Sequence, residues 1–371
     1  MEEKKKRKIG KVPIIAAIVA IIAVIGVAAF ALFRSGFDFG LIGSMRSEKT
    51  SEYLYENTSK ISKSALGNGF AVLTGTEVRA YNENGEETYL SFIVFDEPVL
   101  AISGGYAAAY DEGGKTLIAF TERGESWRTD TEGAIVSASV NSDGYISVAT
   151  DEQGYGGSVT VYNPSGRALY KWYSGANYIV SGKMRGKTDL MTLSIGKSGS
   201  DLRFYRIDDE AEQGSFTSAG VILDAGFNAA GVTVVTQDKL IFLGRTYNKR
   251  GEYDFAGKHL DGYIIDESFT LLVLSDYAVG GEREIVLVDA LGTQAGALSV
   301  SELEGWAING RTVAVAAAGR LDFYNVRFER SYSAEYSGVC DRLCLRDENT
   351  AIICGDYSAR VVSATGRGNN S

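Results

Sequence analysis

The chain has 371 residues, 45% of them apolar, enough for a folded core and incompatible with wholesale disorder. Its net charge is −10, but up to Arg34 there are seven basic residues against two acidic ones, so the remainder carries 30 basic and 45 acidic residues, or −15. A domain this acidic is repelled by phosphate backbones, so no nucleic-acid partner is expected.

Residues 1–12 form a basic tail in which Lys4, Lys5, Lys6, Arg7 and Lys8 are consecutive. Residues 13–33 (PIIAAIVAIIAVIGVAAFALF) follow without a charge, and as a helix they reach about 31 Å, the thickness of a bilayer core. The pattern predicts one transmembrane helix, with the basic tail in the cytoplasm and the remaining chain outside. The competing reading is a cleaved signal peptide, for which Ala29-Phe30-Ala31 supplies an A-x-A site. The apolar run exceeds the roughly 7–15 residues usual in such peptides, which favours an uncleaved signal anchor. Residues 34–50 read as a juxtamembrane linker whose Phe37 and Phe39 suit the lipid interface.

From residue 51 onward an aromatic or apolar residue recurs four positions before a glycine, as in Tyr81/Gly85, Phe120/Gly124, Tyr162/Gly166, Val288/Gly292 and Val362/Gly366. Looser copies at Tyr205, Leu243 and Tyr324 keep the strand and lose the glycine. The eight positions are 36 to 45 residues apart, the period of a β-propeller. Each unit divides into four short strands. In the second these are 98–103, 106–111, 115–121 and 125–130, and Gly113-Gly114 supplies a turn tolerant of positive φ. Innermost strands are expected at 60–66, 98–103, 135–140, 177–183, 220–226, 260–266, 304–309 and 339–345. After ARVVSA (359–364) too little chain remains for a fourth strand, whereas EYLYEN (52–57) precedes the first full unit without a partner. EYLYEN is therefore expected to complete the last blade and close the ring. The expected architecture is an all-β, eight-bladed propeller over 51–371, with seven blades the alternative if one irregular unit is not a blade.

The units GYAAAYDEGGKTLIAFTERGESW (105–127) and GYISVATDEQGYGGSVTVYNPSGRALYKW (144–172), with Trp127 and Trp172 in their outer strands, resemble repeats of the quinoprotein-type (PQQ-like repeat) propeller superfamily. The layout of basic tail, single anchor and propeller also resembles a Gram-positive family of single-pass membrane-anchored propeller proteins of unknown function. In quinoprotein dehydrogenases, the resemblance implies, an axial site holds a quinone and a calcium ion supported by acidic residues and a vicinal cysteine pair. This chain has no adjacent cysteines, and NENGEE (82–87) and DEGG (111–114) fall at hairpin turns, where Asn, Asp and Gly are expected anyway. No cofactor is therefore expected, and the nearer relatives implied are non-catalytic propellers serving as envelope scaffolds.

No catalytic, cofactor-binding or metal-binding residue can be nominated. His259 is the only histidine, which excludes histidine-cluster metal sites, and its place before an inner strand suits a surface or turn role. The chain has no phosphate-binding glycine loop. Cys340 and Cys344 are about 13 Å apart along a strand, too far to bond. Cys344 and Cys354 flank the hairpin 346–350 and face each other in one register, which makes them the candidate disulfide; otherwise all three cysteines are small buried apolar residues. Trp306 lies in a candidate innermost strand, which makes it the candidate ligand contact in the central channel. The reading is a cell-membrane protein with an extracytoplasmic propeller that binds or scaffolds an envelope protein, peptide or glycan. The alternative is an extracytoplasmic enzyme of quinoprotein or lyase type; a third reading is a sensor that signals inward through a partner.

Overall fold

The computed structural model describes residues 52–209, 211–277 and 281–364. The basic tail, the expected transmembrane helix and the linker lie outside these residues. Among the described residues no helix is long and apolar enough to cross a membrane. Thirty-two strands form eight four-stranded antiparallel sheets.

The sheets are the eight blades, numbered in chain order, with the first strand of each innermost, and first strands adjoin between blades 1 and 2, 2 and 3, 3 and 4, 7 and 8, and 8 and 1. These innermost strands are Ile61–Leu66, Pro98–Ser103, Ile135–Val140, Tyr178–Arg185, Ile222–Asn228, His259–Ile265, Leu303–Asn309 and Arg342–Asp347. All eight overlap the expected positions, so the seven-bladed alternative falls. Blade 8 takes three strands from the C-terminal end and one from the N-terminal end. Glu52–Leu54 pairs with Ser358–Ser363 in the register Glu52↔Arg360, Tyr53↔Ala359 and Leu54↔Ser358.

Both faces of each blade pack on neighbouring blades. Successive side chains of a strand point to opposite faces, so a blade's second strand, covered on both sides, is buried at nearly every position rather than at alternate ones. In Tyr106–Asp111, Ala107 and Ala109 pack toward blade 1 while Ala108 and Tyr110 pack toward blade 3. For the same reason GVTVVT (Gly231–Thr236) and FTLLVLS (Phe269–Ser275) are buried throughout. Eight apolar clusters result, one for each seam between consecutive blades, including the seam between blades 8 and 1.

That last seam is built by the N-terminal strand. Tyr53 is fully buried and stacks on Phe70 of blade 1 at 4.9 Å between ring centroids. The Tyr55 hydroxyl donates to the carbonyls of Gly355 (2.8 Å) and Ser358 (2.9 Å), and the Tyr81 hydroxyl donates to that of Leu54 (2.7 Å).

In blades 1, 2, 3 and 6 the recurring glycine sits in the hairpin between third and fourth strands, and Gly366 lies outside the described residues. The residue after the aromatic accepts backbone N–H groups on its side-chain oxygen: Asn82 from Asn84 and Glu86, Asn163 from Ser165 and Arg167. The turn then needs a left-handed residue, which Gly85 (φ 82°) and Gly166 (φ 81°) provide. At Leu243 and Tyr324, where the glycine is lost, the turn persists with Tyr247 (φ 62°) and Phe328 (φ 59°) in its place. Their rings are accommodated by glycines of the preceding blade's outer strand. A Cβ on Gly214 would meet Tyr247 at 3.0 Å, and one on Gly296 would meet Phe328 at 2.9 Å. At Gly166 the roles are exchanged, and a Cβ there would lie 2.8 Å from the Trp127 ring of blade 2.

Tyr53→Ala, which empties the closing seam, is expected to lower unfolding free energy by about 3–5 kcal/mol. Gly166→Ala, which combines a left-handed backbone with a ring contact, is expected to cost about 1–3 kcal/mol. Chemical denaturation of the two variants beside the native chain measures both.

Candidate functional site

The channel is lined by the innermost strands. Trp306, on Leu303–Asn309, is half-buried and lies across Gly262 of blade 6, where a Cβ would come within 2.5 Å of its ring. Its ring borders a cavity of about 240 Å³ shared with Ile264, Glu304, Asp341, Arg342 and Leu343. Trp306, the residue nominated from the sequence, thus lies on an innermost strand and borders this cavity. Two carboxylates set the character of this cavity. Glu304 accepts a hydrogen bond from the Tyr336 hydroxyl at 2.6 Å, and Asp341 binds the buried Lys63 ammonium at 3.1 Å. Burial, reinforced by the charges of Glu304 and Asp341, pushes the Cys340 thiol up to about 12. Burial, with Glu304 as acceptor, likewise raises Tyr336. Both carboxylates are thus already engaged, and Arg342 lies on the same wall.

A larger cavity of about 600 Å³ opens at the other end of the channel between the inner strands of blades 2 to 6. The cations on its wall are already engaged. Lys183 pairs with Asp224 at 2.7 Å, and Arg185 pairs with Asp189 at 2.8 Å while lying over the Phe227 ring. Among the described residues no group of three or more His, Cys, Asp or Glu side chains is placed to hold a metal ion. His259 is exposed at the start of its strand, opposite Ser275. NENGEE is a hairpin turn organised by Asn82, and Gly113 of DEGG adopts φ 82° in another.

The three cysteines are buried free thiols. The register expected for the candidate disulfide is not the one adopted: Cys344 lies opposite Ile352, and Cys354 lies opposite Arg342. A bulge between Leu345 and Asp347 sets this pairing, leaving the two cysteines diagonal on one face, in the seam with Phe70 and Tyr53. A hydrogen bond from Cys354 draws the Cys344 thiol below the usual range, and the same contact with burial holds Cys354 above it.

The two ends of the ring differ. Connections between second and third strands and crossovers between blades share one end, here the crossover face, as the bonds Glu112 N to Glu97 O and Ile179 N to Gly156 O show. First-to-second and third-to-fourth hairpins share the opposite face, where Gly67 N bonds Gly104 O. Large exposed apolar side chains collect on the crossover face: Val94 (90% exposed), Phe92 (77%), Tyr178 (76%), Tyr277 (71%) and Tyr357 (68%), with Tyr155 and Val339. The opposite end presents Leu291, the part-covered Tyr106 and Leu169 at the start of its outer strand. None of these side chains was nominated from the sequence. The signal it had was their position, since Tyr155 in GYGG and Tyr277 lie in connections, where strand propensity does not account for an aromatic.

Residues 44–362 match DUF5711, a family of unknown function. Comparison with curated protein sequences gives no match. The ring is similar to BamB from Moraxella catarrhalis, at 13% identity and a TM-score of 0.54, covering 86% of this chain and 99% of that one. It is also similar to Saccharomyces cerevisiae Sqt1, at 10% identity and TM-score 0.57, covering 85% and 97%. The quinohemoprotein alcohol dehydrogenase ADHIIG from Pseudomonas putida HK5 gives 10% identity and TM-score 0.54, covering 86% and 76%. These likenesses establish the propeller fold.

Cys340 releases its proton near 9.0 in the unfolded chain and near 12 in the fold. Its contribution to stability is thus complete below pH 9 and declines as pH rises toward 12. The urea midpoint is expected to hold steady up to pH 9 and to fall between pH 9 and 11, less steeply in Cys340→Ala. Gly262→Ala is expected to displace the Trp306 ring and shift its fluorescence emission, while a maleimide labels none of the native thiols at pH 7 and all three in denaturant.

Proposed function

We propose, on the premise that the chain belongs to the DUF5711 family, that it is a membrane-anchored, extracytoplasmic β-propeller that binds an envelope partner and catalyses no reaction. The observation that carries this reading is the gathering of exposed aromatic and aliphatic side chains on the crossover face. Exposed apolar surface collected at one end of a soluble domain is characteristic of an interaction site. The anchor rests on residues 13–33 and its orientation on the consecutive basic residues before them. The partner is a protein, peptide or glycan of the envelope, with Trp306 the residue that would meet any group entering the channel.

A photo-crosslinking residue placed at Tyr178, or at Leu291 on the opposite face, tests this in native membranes. A discrete adduct is expected from position 178 and none from position 291, and it should weaken when residues 1–33 are removed. Equal adducts from both faces, or oxidation of an alcohol by the purified protein with a quinone acceptor, would overturn the reading.

A further inference from the structure

One part of the crossover face has both a rigid frame and a defined chemistry. The connection 151–157 of blade 3 is fixed to the crossover leading into blade 4. Gly156 N donates to Ser174 O (2.9 Å), Ile179 N donates to Gly156 O (2.9 Å), and Ser174 N donates to Gly157 O (2.9 Å). These bonds bring Tyr155 against Tyr173, their rings 4.8 Å apart, and set Tyr178 beside them at the start of the next blade's first strand. Each of the three is at least two-fifths exposed. The side chains beside them are acidic: Glu132 from the crossover between blades 2 and 3, and Asp151 and Glu152 from the same connection. Asp130 and Glu132 continue into a groove of about 450 Å³ along the outer strands, whose floor includes Thr160 and Leu169.

Lys171 shows what this arrangement binds. Its ammonium lies 2.6 Å from Glu132 Oε2 and 3.0 Å from Glu152 Oε2, and 4.9 Å from the centre of the Tyr173 ring. Two carboxylates and an aromatic face are the elements that recognise a lysine or arginine side chain. Lys171 uses one face of Tyr173, while Tyr155, Tyr178 and Asp151 remain exposed beside it. Against the four carboxylates of the patch stand Lys171, Lys115, which donates to the Glu132 carbonyl, and the exposed Lys197 in the hairpin after Ile195, the cross-strand partner of Tyr178.

We infer that the Tyr155–Tyr173–Tyr178 platform and the adjoining acidic groove form a docking site for an extended, lysine- or arginine-bearing segment of a partner protein. The inference rests on the binding function above and specifies its chemistry. The charge complementarity favours this occupant over a neutral glycan, which would use the rings and gain little from Asp130, Glu132 and Asp151.

The full chain in detergent micelles is titrated against a dye-labelled peptide of repeating Lys-Tyr-Lys-Ser, and against its Glu-Tyr-Glu-Ser counterpart, by fluorescence anisotropy. The basic peptide is expected to bind and the acidic one not, with affinity falling as salt rises. Tyr155→Ala combined with Tyr178→Ala, and Glu132→Gln combined with Asp151→Asn, are each expected to weaken binding about tenfold, the loss of one well-formed contact. Asp208→Asn combined with Asp209→Asn removes two charges from the opposite face and is expected to leave binding unchanged, which separates a site from general attraction to an acidic protein. All these side chains are exposed, so the thermal midpoint should stay constant in each variant. Equal binding of both peptides, or equal weakening by the Asp208/Asp209 variant, overturns the inference. So does competition by chitohexaose that depends only on the tyrosines, which assigns the platform to a glycan. Failure of the peptide test beside a specific adduct at position 178 in membranes removes this site and leaves the binding function standing.

Discussion

The pairing of Glu52–Leu54 with Ser358–Ser363 is the constraint on which the other seams depend. Every blade is buried on two sides, so the ring is stable only when no blade has a bare flank. Without the N-terminal strand the last sheet would end in unpaired backbone groups, and Phe70, Cys344 and Ile352 would lose the tyrosines that cover their seam. The two partners are separated by some three hundred residues of sequence, so closure is the least local contact in the fold. Loop-closure entropy places such a contact late in folding. Its stabilisation comes from three buried tyrosines (Tyr53, Tyr55 and Tyr81) rather than from the length of the strand.

Beside the seams, a second kind of contact recurs between blades. An aromatic ring and a glycine meet where the outer hairpin of one blade reaches the preceding blade, and either partner can supply either member. Gly166 receives Trp127, whereas Tyr247 and Phe328 rest against Gly214 and Gly296. Tyr247 in turn stacks on Phe204 at 3.7 Å between centroids. At these three contacts the ring and the glycine exchange sides, as close packing allows.

This exchange marks the limit of what the repeat made legible. Strand, aromatic and glycine periodicity placed all eight inner strands and identified EYLYEN as the closing element, because two-sided burial writes itself into composition. The largest displacement is in blade 8, where 339–345 was expected and Arg342–Asp347 is found; Val339 and Cys340 are apolar because Cys340 fills the seam with blade 7 from a crossover, not because they lie in a strand. A left-handed tyrosine or phenylalanine at a turn is invisible to a pattern built on glycine, since only the neighbouring glycine makes it tolerable. Trp306 was legible because inner strands are, whereas Lys63, almost wholly buried beneath Asp341 and Gly355, was not: its partners come from the far end of the chain. The diagonal placement of Cys344 and Cys354 turned on a single bulge that sequence does not announce.

The closing strand also has a mechanical consequence. Covalent continuity means that any tension carried along the chain from residue 51 enters the ring at Glu52. The load passes first to three residue pairs on Ser358–Ser363, then to the Tyr55 hydroxyl and its two carbonyls. The element that seals the ring is thus also its clamp against pulling. The ring would yield to force by peeling at this edge while the seven other blades, each wound from one continuous stretch of chain, still held their sheets.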